Sequence, residues 1–340
     1  MTTAIRIERV SENLNRALHD LFAGNPTAHL LGEDVADPYG GAFKVTRGLS
    51  SEYPDRVLST PLSEAGIVGV AGGLALAGGT AIVEIMFSDF VALAFDQILN
   101  FATKSVSMYG ERVPMRVVVR CPTGGGRSYG PTHSQSLQKH FIGIPHLSLF
   151  ELTPFRDAGE VLADALATGE PSVVFEDKVL YTQRMRRDGV VDDLLRYDLL
   201  PGGTARLFVD DPNEFDVVLI APGGLTERAV AATRSLLIED EITALVLVPS
   251  KLHPFDLAPL APVLDRARLI CVAEESSAGG TWGAELAQQL HTRLWGQLDK
   301  PVRLVHSRDS VVPTAAHLER AVLVQDDDIR RAIRELVTGD

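Results

Sequence analysis

Apolar residues recur along this chain with two alternating periods. Val10, Leu14, Leu18 and Leu21 fall at helical spacing within 8–22, and the run Ala28-His29-Leu30-Leu31-Gly32 reads as a short buried strand. A helix from Ser63 follows, then a β-branched strand over 80–86, an apolar helical pattern from Phe90 to Met108, and a strand over 115–120. That strand runs into a predicted loop, Cys121-Pro122-Thr123-Gly124-Gly125-Gly126, and helix 157–168 and strand 172–176 complete the series. Between Thr182 and Thr204 the pattern gives way to mixed charge and Pro201-Gly202-Gly203. A second series then begins: strand 216–221, helix 226–238, strands 243–248 and 268–273, helix 283–295 and helix 326–337. Such alternation predicts an α/β protein with two doubly wound domains, their parallel sheets covered on both faces. The boundaries expected are a first domain over 1–185, a linker over 186–203 and a second domain over 204–340.

One element breaks the ordinary rules of helix composition. Glu64 opens the helix after Thr60-Pro61-Leu62-Ser63, and nineteen uncharged residues separate it from the next charge, Glu84. Six of those nineteen are glycine, each costing roughly 1 kcal/mol relative to alanine inside a helix. The glycines are accounted for if another backbone approaches closely, and Glu64 alone is an acid favoured by the helix dipole. The apolar run is as long as a membrane span, but Gly78-Gly79 divides it into a helix and a strand, so no membrane segment is expected.

Composition narrows the partners. The 340 residues are 45% hydrophobic and carry a formal charge of −13, which leaves no basic stripe for nucleic acid. The densest basic cluster, Arg184, Arg186 and Arg187, is expected to be a solvated loop. Arg6, Glu8 and Arg9 lead into a polar helix with no apolar signal segment. The two cysteines, Cys121 and Cys271, lie 150 positions apart on apolar strands, which gives neither a disulfide framework nor metal spacing. A cytoplasmic protein with buried, inert thiols is the expectation.

Candidate chemistry gathers at strand ends, where open α/β sheets place ligands. Glu33, in Gly32-Glu33-Asp34-Val35, and Glu64 supply two acids. Phe90, in Phe87-Ser88-Asp89-Phe90, is an aromatic able to stack on a planar ring or to sit in the core. His133 follows the glycine loop in Tyr129-Gly130-Pro131-Thr132-His133-Ser134-Gln135-Ser136, as a site residue or a plain surface-loop histidine. Lys139 and His140 read either as binders of an acidic substrate tail or as a solvated helix start.

Several strings, taken together in this order, resemble the beta subunit of the thiamine-diphosphate-dependent 2-oxo acid dehydrogenases. They are Leu31-Gly32-Glu33-Asp34-Val35, Tyr39-Gly40-Gly41-Ala42-Phe43-Lys44-Val45-Thr46-Arg47-Gly48-Leu49, Thr60-Pro61-Leu62-Ser63-Glu64, and Asp96-Gln97-Ile98. Further along come His133-Ser134-Gln135-Ser136, Glu176-Asp177-Lys178-Val179-Leu180-Tyr181, Glu274-Glu275-Ser276 and Gly279-Gly280. The resemblance implies a pyrimidine-binding thiamine diphosphate domain followed by a transketolase C-terminal-like domain that serves assembly more than chemistry.

By that resemblance Glu64 hydrogen-bonds the aminopyrimidine ring of the cofactor, Phe90 stacks on it, and Leu62 and Glu33 complete the cofactor contacts, Glu33 also serving proton transfer. His133 is implied to handle protons of the substrate or of acyl transfer. The family holds the diphosphate through magnesium with a Gly-Asp-Gly motif, and the only Gly-Asp here is Gly339-Asp340, so no metal ligand is expected from this chain. An alpha subunit carrying that motif would bring the magnesium, in an alpha2-beta2 assembly. The implied activity is oxidative decarboxylation of a pyruvate-like or branched-chain 2-oxo acid, with acyl transfer to a lipoyl group on an acyltransferase domain. The alternatives are a split transketolase-like or acyloin-forming carboligase subunit, and a non-catalytic assembly subunit. Arg127-Ser128-Tyr129 and Leu137-Gln138-Lys139-His140-Phe141 depart from the family's pattern and leave the substrate open.

Overall fold

The computed structural model describes residues 7–339, which fall into two compact units. The first comprises residues to Thr123 together with Gly143–Met185, and the second comprises Gly124–Ile142 together with the chain from Arg186 onward.

In the first unit the strands are β1 (Ala28–Gly32), β2 (Val57–Ser59), β3 (Thr80–Glu84), β4 (Val117–Thr123), β5 (Ser148–Glu151) and β6 (Ser172–Asp177). They run in the order β5-β6-β4-β3-β1-β2, and every pairing between them is parallel. Every residue of β3, β4, β5 and β6 is buried, as a sheet covered on both faces requires. The helix Val10–Gly24 lays Val10, Leu14, Ala17 and Leu18 into a core shared with Val161, Leu162 and Ala165 of the helix Ala158–Ala167. Cys121-Pro122-Thr123 belongs to β4, register-paired with Phe175, Glu176 and Asp177, so the predicted loop begins only at Gly124. The expected helix from Phe90 to Met108 is not one helix. It is a short helix Ser88–Val91, a 3-10 turn Ala92–Ala94, a π-helical stretch Gln97–Ala102 and a last turn Thr103–Ser105.

The second unit contains β7 (Arg196–Leu199), β8 (Ala205–Phe208), β9 (Val217–Ile220), β10 (Ala244–Val248), β11 (Lys251–His253), β12 (Ile270–Ser277) and β13 (Arg303–Ser307). A 6-stranded sheet runs β13-β12-β9-β10-β8-β7. Its β8 is antiparallel to both β10 and β7, so the sheet is mixed where the βα pattern predicted a parallel one. Strand β7 lies inside the stretch expected to be a linker. Arg186, expected to be solvated, is half-buried and pairs with Glu227 at 2.9 Å and with the Val191 carbonyl at 2.8 Å. The helix Asp326–Thr338 packs on the helix Thr226–Asp240, where Arg330 reaches Glu239 and Asp240, each at 2.7 Å. Gly339 stops it in the left-handed conformation that favours glycine after a helix.

Both cysteines are free and buried. Burial holds the Cys121 thiol well above its ordinary value and pushes Cys271 up to about 12, so neither is a reactive thiolate. No helix among the described residues is long and apolar enough to cross a membrane.

Candidate active site

The first unit brings two of the expected acids together. Gly32 ends β1 where a Cβ would lie 2.7 Å from the Glu84 carbonyl, so only glycine lets the chain pass β3 and turn Glu33 inward. Glu33 is 4% exposed, and its Oε1 is buried without a hydrogen-bond partner. Burial, and after it the charge of Glu64, holds this carboxyl above the ordinary carboxylate range, while the Ser63 N–H donates to it and pulls the other way. Glu64 is the first residue of the helix Glu64–Leu76 and is half-buried. Thr60 Oγ1, just upstream, is a second buried oxygen without a partner. Leu62 lies 81% exposed at the approach to Glu64.

Phe90 is half-buried beside the aromatic rings of a cluster. Its ring meets Phe87 edge-on at 6.5 Å, Phe87 meets Phe43 edge-on at 6.3 Å, and Phe43 lies 5.0 Å from Tyr181. Phe87 also receives the Lys178 ammonium 5.6 Å from its ring centre. The loop that delivers Phe43 is unusual, since Phe43 and Lys44 both hold left-handed backbone angles, with φ of 55° and 62°. It is fixed from below. The Ala42 N–H donates to Glu84 at 2.6 Å, and Thr46 Oγ1 donates to the Val35 carbonyl at 2.8 Å. Gly41, with φ of 72°, would set a Cβ 2.7 Å from the Glu84 carboxylate.

Beneath that loop lies a buried charge network that the apolar pattern hid. Arg120 pairs with Glu84 and, through two nitrogens at 2.8 and 2.7 Å, with Glu176. Tyr181 donates its hydroxyl to Glu176 at 2.5 Å. Burial raises the proton affinity of Glu84, opposed by the charge of Arg120, and raises Tyr181 well above its ordinary value. The sequence signal was a charge within each of three otherwise apolar strands: Glu84 in β3, Arg120 in β4 and Glu176, next to Asp177, in β6.

His133 belongs to the second unit, within the segment Gly124–Ile142. It is half-buried, and its Nδ1 lies 2.8 Å from Thr132 Oγ1. Both flanks of its loop are tied down. Glu319 accepts the Gly126 N–H at 2.9 Å and the Ser128 N–H at 3.0 Å. Glu275 accepts the Gly125 N–H at 2.7 Å and the Ser136 hydroxyl at 3.2 Å, while its other oxygen pairs with Arg228 at 2.8 Å. Lys139 donates to the Ser277 and Gly279 carbonyls at 3.0 and 3.3 Å and to Ser277 Oγ at 3.2 Å, so it is neither a free substrate binder nor a solvated helix start. A cleft of about 340 Å³ runs beside the loop, lined by Ser134, Ser136, Ser276, Arg308 and Val312 among others.

Residues 9–183 match the model of the transketolase pyrimidine binding domain, and residues 209–329 that of the transketolase C-terminal domain. The chain is 32% identical over 326 residues to pyruvate dehydrogenase E1 component subunit beta-2, mitochondrial, of Oryza sativa subsp. japonica, covering 96% of this chain and 85% of the relative. It is 31% identical over 325 residues to pyruvate dehydrogenase E1 component subunit beta of Gracilaria tenuistipitata var. liui, covering 95% and 97%. Among solved structures, a split gene transketolase described as an inactive beta4 tetramer covers 98% of this chain and 99% of its own, with a TM-score of 0.71 and 21% identity. At that identity the likeness speaks for the fold.

Proposed function

We propose, since the chain belongs to the pyruvate dehydrogenase E1 beta-subunit family, that it is the beta subunit of a thiamine-diphosphate-dependent 2-oxo acid dehydrogenase. One observation carries the reading beyond family membership. Glu33 and Glu64 share one corner of the first unit, with a buried, unpartnered acceptor on Glu33 and a half-buried Phe90 in the same unit. Buried polar atoms are rarely left without partners, and an aminopyrimidine ring offers nitrogen donors and an aromatic face to such a set. The residues fit that half of the cofactor.

Bound thiamine diphosphate supplies an electron sink for carbanion chemistry at the carbonyl carbon of a 2-oxo acid. Glu64 is assigned to the pyrimidine ring nitrogen, where the first residue of a helix offers a carboxyl to hydrogen-bond it. Phe90 supplies a ring face, braced edge-on by Phe87, and Leu62 an apolar flank. Glu33 fits a proton-transfer role, because a carboxyl held above its ordinary range exchanges protons nearer neutral pH than a solvated acid does. His133 handles protons of the substrate or of acyl transfer. The magnesium ion and the diphosphate are assigned to an alpha subunit with a Gly-Asp-Gly motif, in an alpha2-beta2 assembly. The acyl group passes to a lipoyl domain, and the assembly is placed in the cytoplasm.

Affinity purification of the chain from its own cells, with mass-spectrometric identification of its partners, tests this. The expected result is a stoichiometric partner carrying Gly-Asp-Gly, and a complex that decarboxylates a 2-oxo acid and acylates a lipoyl domain. Decarboxylation or ketol transfer without lipoyl acylation would replace the dehydrogenase with a carboligase. A lone chain that binds magnesium and thiamine diphosphate by itself would overturn the half-site.

A further inference from the structure

We propose that the second unit sets the position of His133, and that Glu275, Glu319 and Lys139 are the positioning residues through which it does so. The inference rests on the reading of His133 as an active-site residue and assigns a task in the chemistry to a unit expected to serve assembly more than chemistry.

The glycine run 124–126 lacks the Lys-Ser/Thr of a phosphate loop, and its backbone shows what it holds instead. Gly124, Gly126 and Ser128 all have positive φ, at 81°, 82° and 58°, a backbone that curls successive N–H groups toward one point. That point is already filled. The Glu319 carboxylate, from the helix Ala316–Val322 and only 3% exposed, accepts from Gly126 and Ser128. Gly125 has no room for a side chain, since a Cβ there would meet Leu323 Cδ1 at 2.4 Å, and one on Gly130 would meet Thr314 Oγ1 at 2.5 Å. The nest is therefore a lock for the protein's own acid.

The anchors bracket the histidine. Glu319 and Glu275 hold residues 125, 126 and 128 on its N-terminal side, and Glu275 and Lys139 hold residues 136 and 139 on the other. Glu275 spans the bracket, because one of its oxygens accepts from both Gly125 and Ser136. The Arg228 guanidinium orients the carboxylate through its other oxygen. Hydrogen bonds to an ionised carboxylate are about twice as strong as neutral ones, and a carboxamide in its place would present an NH₂ to backbone donors. Between two such fixed ends, His133 has little freedom to drift.

The test uses Glu319→Gln and Glu275→Gln in the full chain and in the assembled enzyme, with His133→Ala as reference. Amide hydrogen exchange on the full chain should rise within 124–142 and stay level in β3 and β4. In the assembled enzyme kcat should fall by up to about 10²-fold, the scale of a small displacement of a catalytic group, with KM for the 2-oxo acid little changed. In the His133→Ala background the same substitutions should cost little more, because residues acting through one group are non-additive. Unchanged exchange within 124–142, or losses that add fully to that of His133→Ala, overturns the proposal. Should either glutamine variant fail to fold, Lys139→Met removes the third anchor and is read the same way. If His133→Ala alone leaves turnover intact, the functional reading of His133 has failed, and the exchange data still decide the anchoring.

Discussion

Glu84 and Arg120 are register partners on the neighbouring parallel strands β3 and β4, and their side chains close an ion pair with only 1% of each exposed. Arg120 also pairs with Glu176 from β6, whose side chain is 0% exposed, so one guanidinium is shared by two buried acids. Arg120→Met would leave both acids facing each other in the core. Breaking a buried pair in this way costs about 3–5 kcal/mol. Urea unfolding of the isolated chain should show a loss on that scale, and adding Glu84→Gln and Glu176→Gln should recover much of it. A loss below 1 kcal/mol, at the level of an exposed pair, would mean that water reaches the network.

The Glu33 carboxyl predicts a pH signature. Its proton affinity is raised in the folded chain, so whatever stability it contributes is present below the ordinary carboxylate pKa. That contribution is lost as pH rises through the higher folded value. Glu33→Gln removes the titration. Thermal melts of the isolated chain should find the variant gaining on wild type as pH rises from 4 to 8, with the difference levelling above the folded pKa. A difference that does not change with pH would place Glu33 in contact with water.

Glu64→Gln keeps the shape of the side chain and removes the acid. Turnover of the assembled enzyme should fall about 10²–10⁴-fold, the scale of a general acid–base contribution. Melting of the chain should barely move, since Glu64 is half-buried and opens its helix from the first turn. Near-normal turnover would remove Glu64 from the chemistry.

Adjacent glycines in the helix Glu64–Leu76 should respond with opposite signs. A Cβ on Gly72 would lie 2.3 Å from a ring carbon of Phe101, whereas a Cβ on Gly73 meets nothing within 4 Å. Gly72→Ala should cost about 1–3 kcal/mol through overpacking. Gly73→Ala should gain roughly 0.5–1 kcal/mol in the isolated chain, from reduced backbone freedom in the unfolded state. Denaturant midpoints of the two variants check this, and equal effects would contradict the packing.

Much of the fold was legible because β-branched runs and helical spacing alternate so regularly, and Glu64 does open the helix it was expected to open. Short edge strands such as β2 escaped notice because three residues carry too little periodicity to register. The break in the helix after Phe90 was invisible for another reason. Apolar residues sit at helical spacing throughout 90–108, no glycine marks the change, and a π-helical turn differs from an α-turn by one hydrogen-bond step. Charges in β3, β4 and β6 look like strand ends to a pattern reader, and only the pairing of three strands brings them together. Of the candidate site, Glu33, Glu64, Phe90 and His133 were proposed from their motifs. Their supports could not, because Lys139 finds its partner 138 positions away.

Unit membership changes along this chain at residues 124, 143 and 186, so neither unit is an uninterrupted stretch of sequence. A gene cut once, in the charged region near 186, would send the histidine segment to the product that lacks Glu275, Glu319 and Arg228. Exchange of the C-terminal half between relatives would likewise pair one lineage's loop with another lineage's anchors. Either event would part the histidine segment from the side chains that hold it, since Gly125 and Ser136 both donate to Glu275, 150 and 139 residues further along the chain.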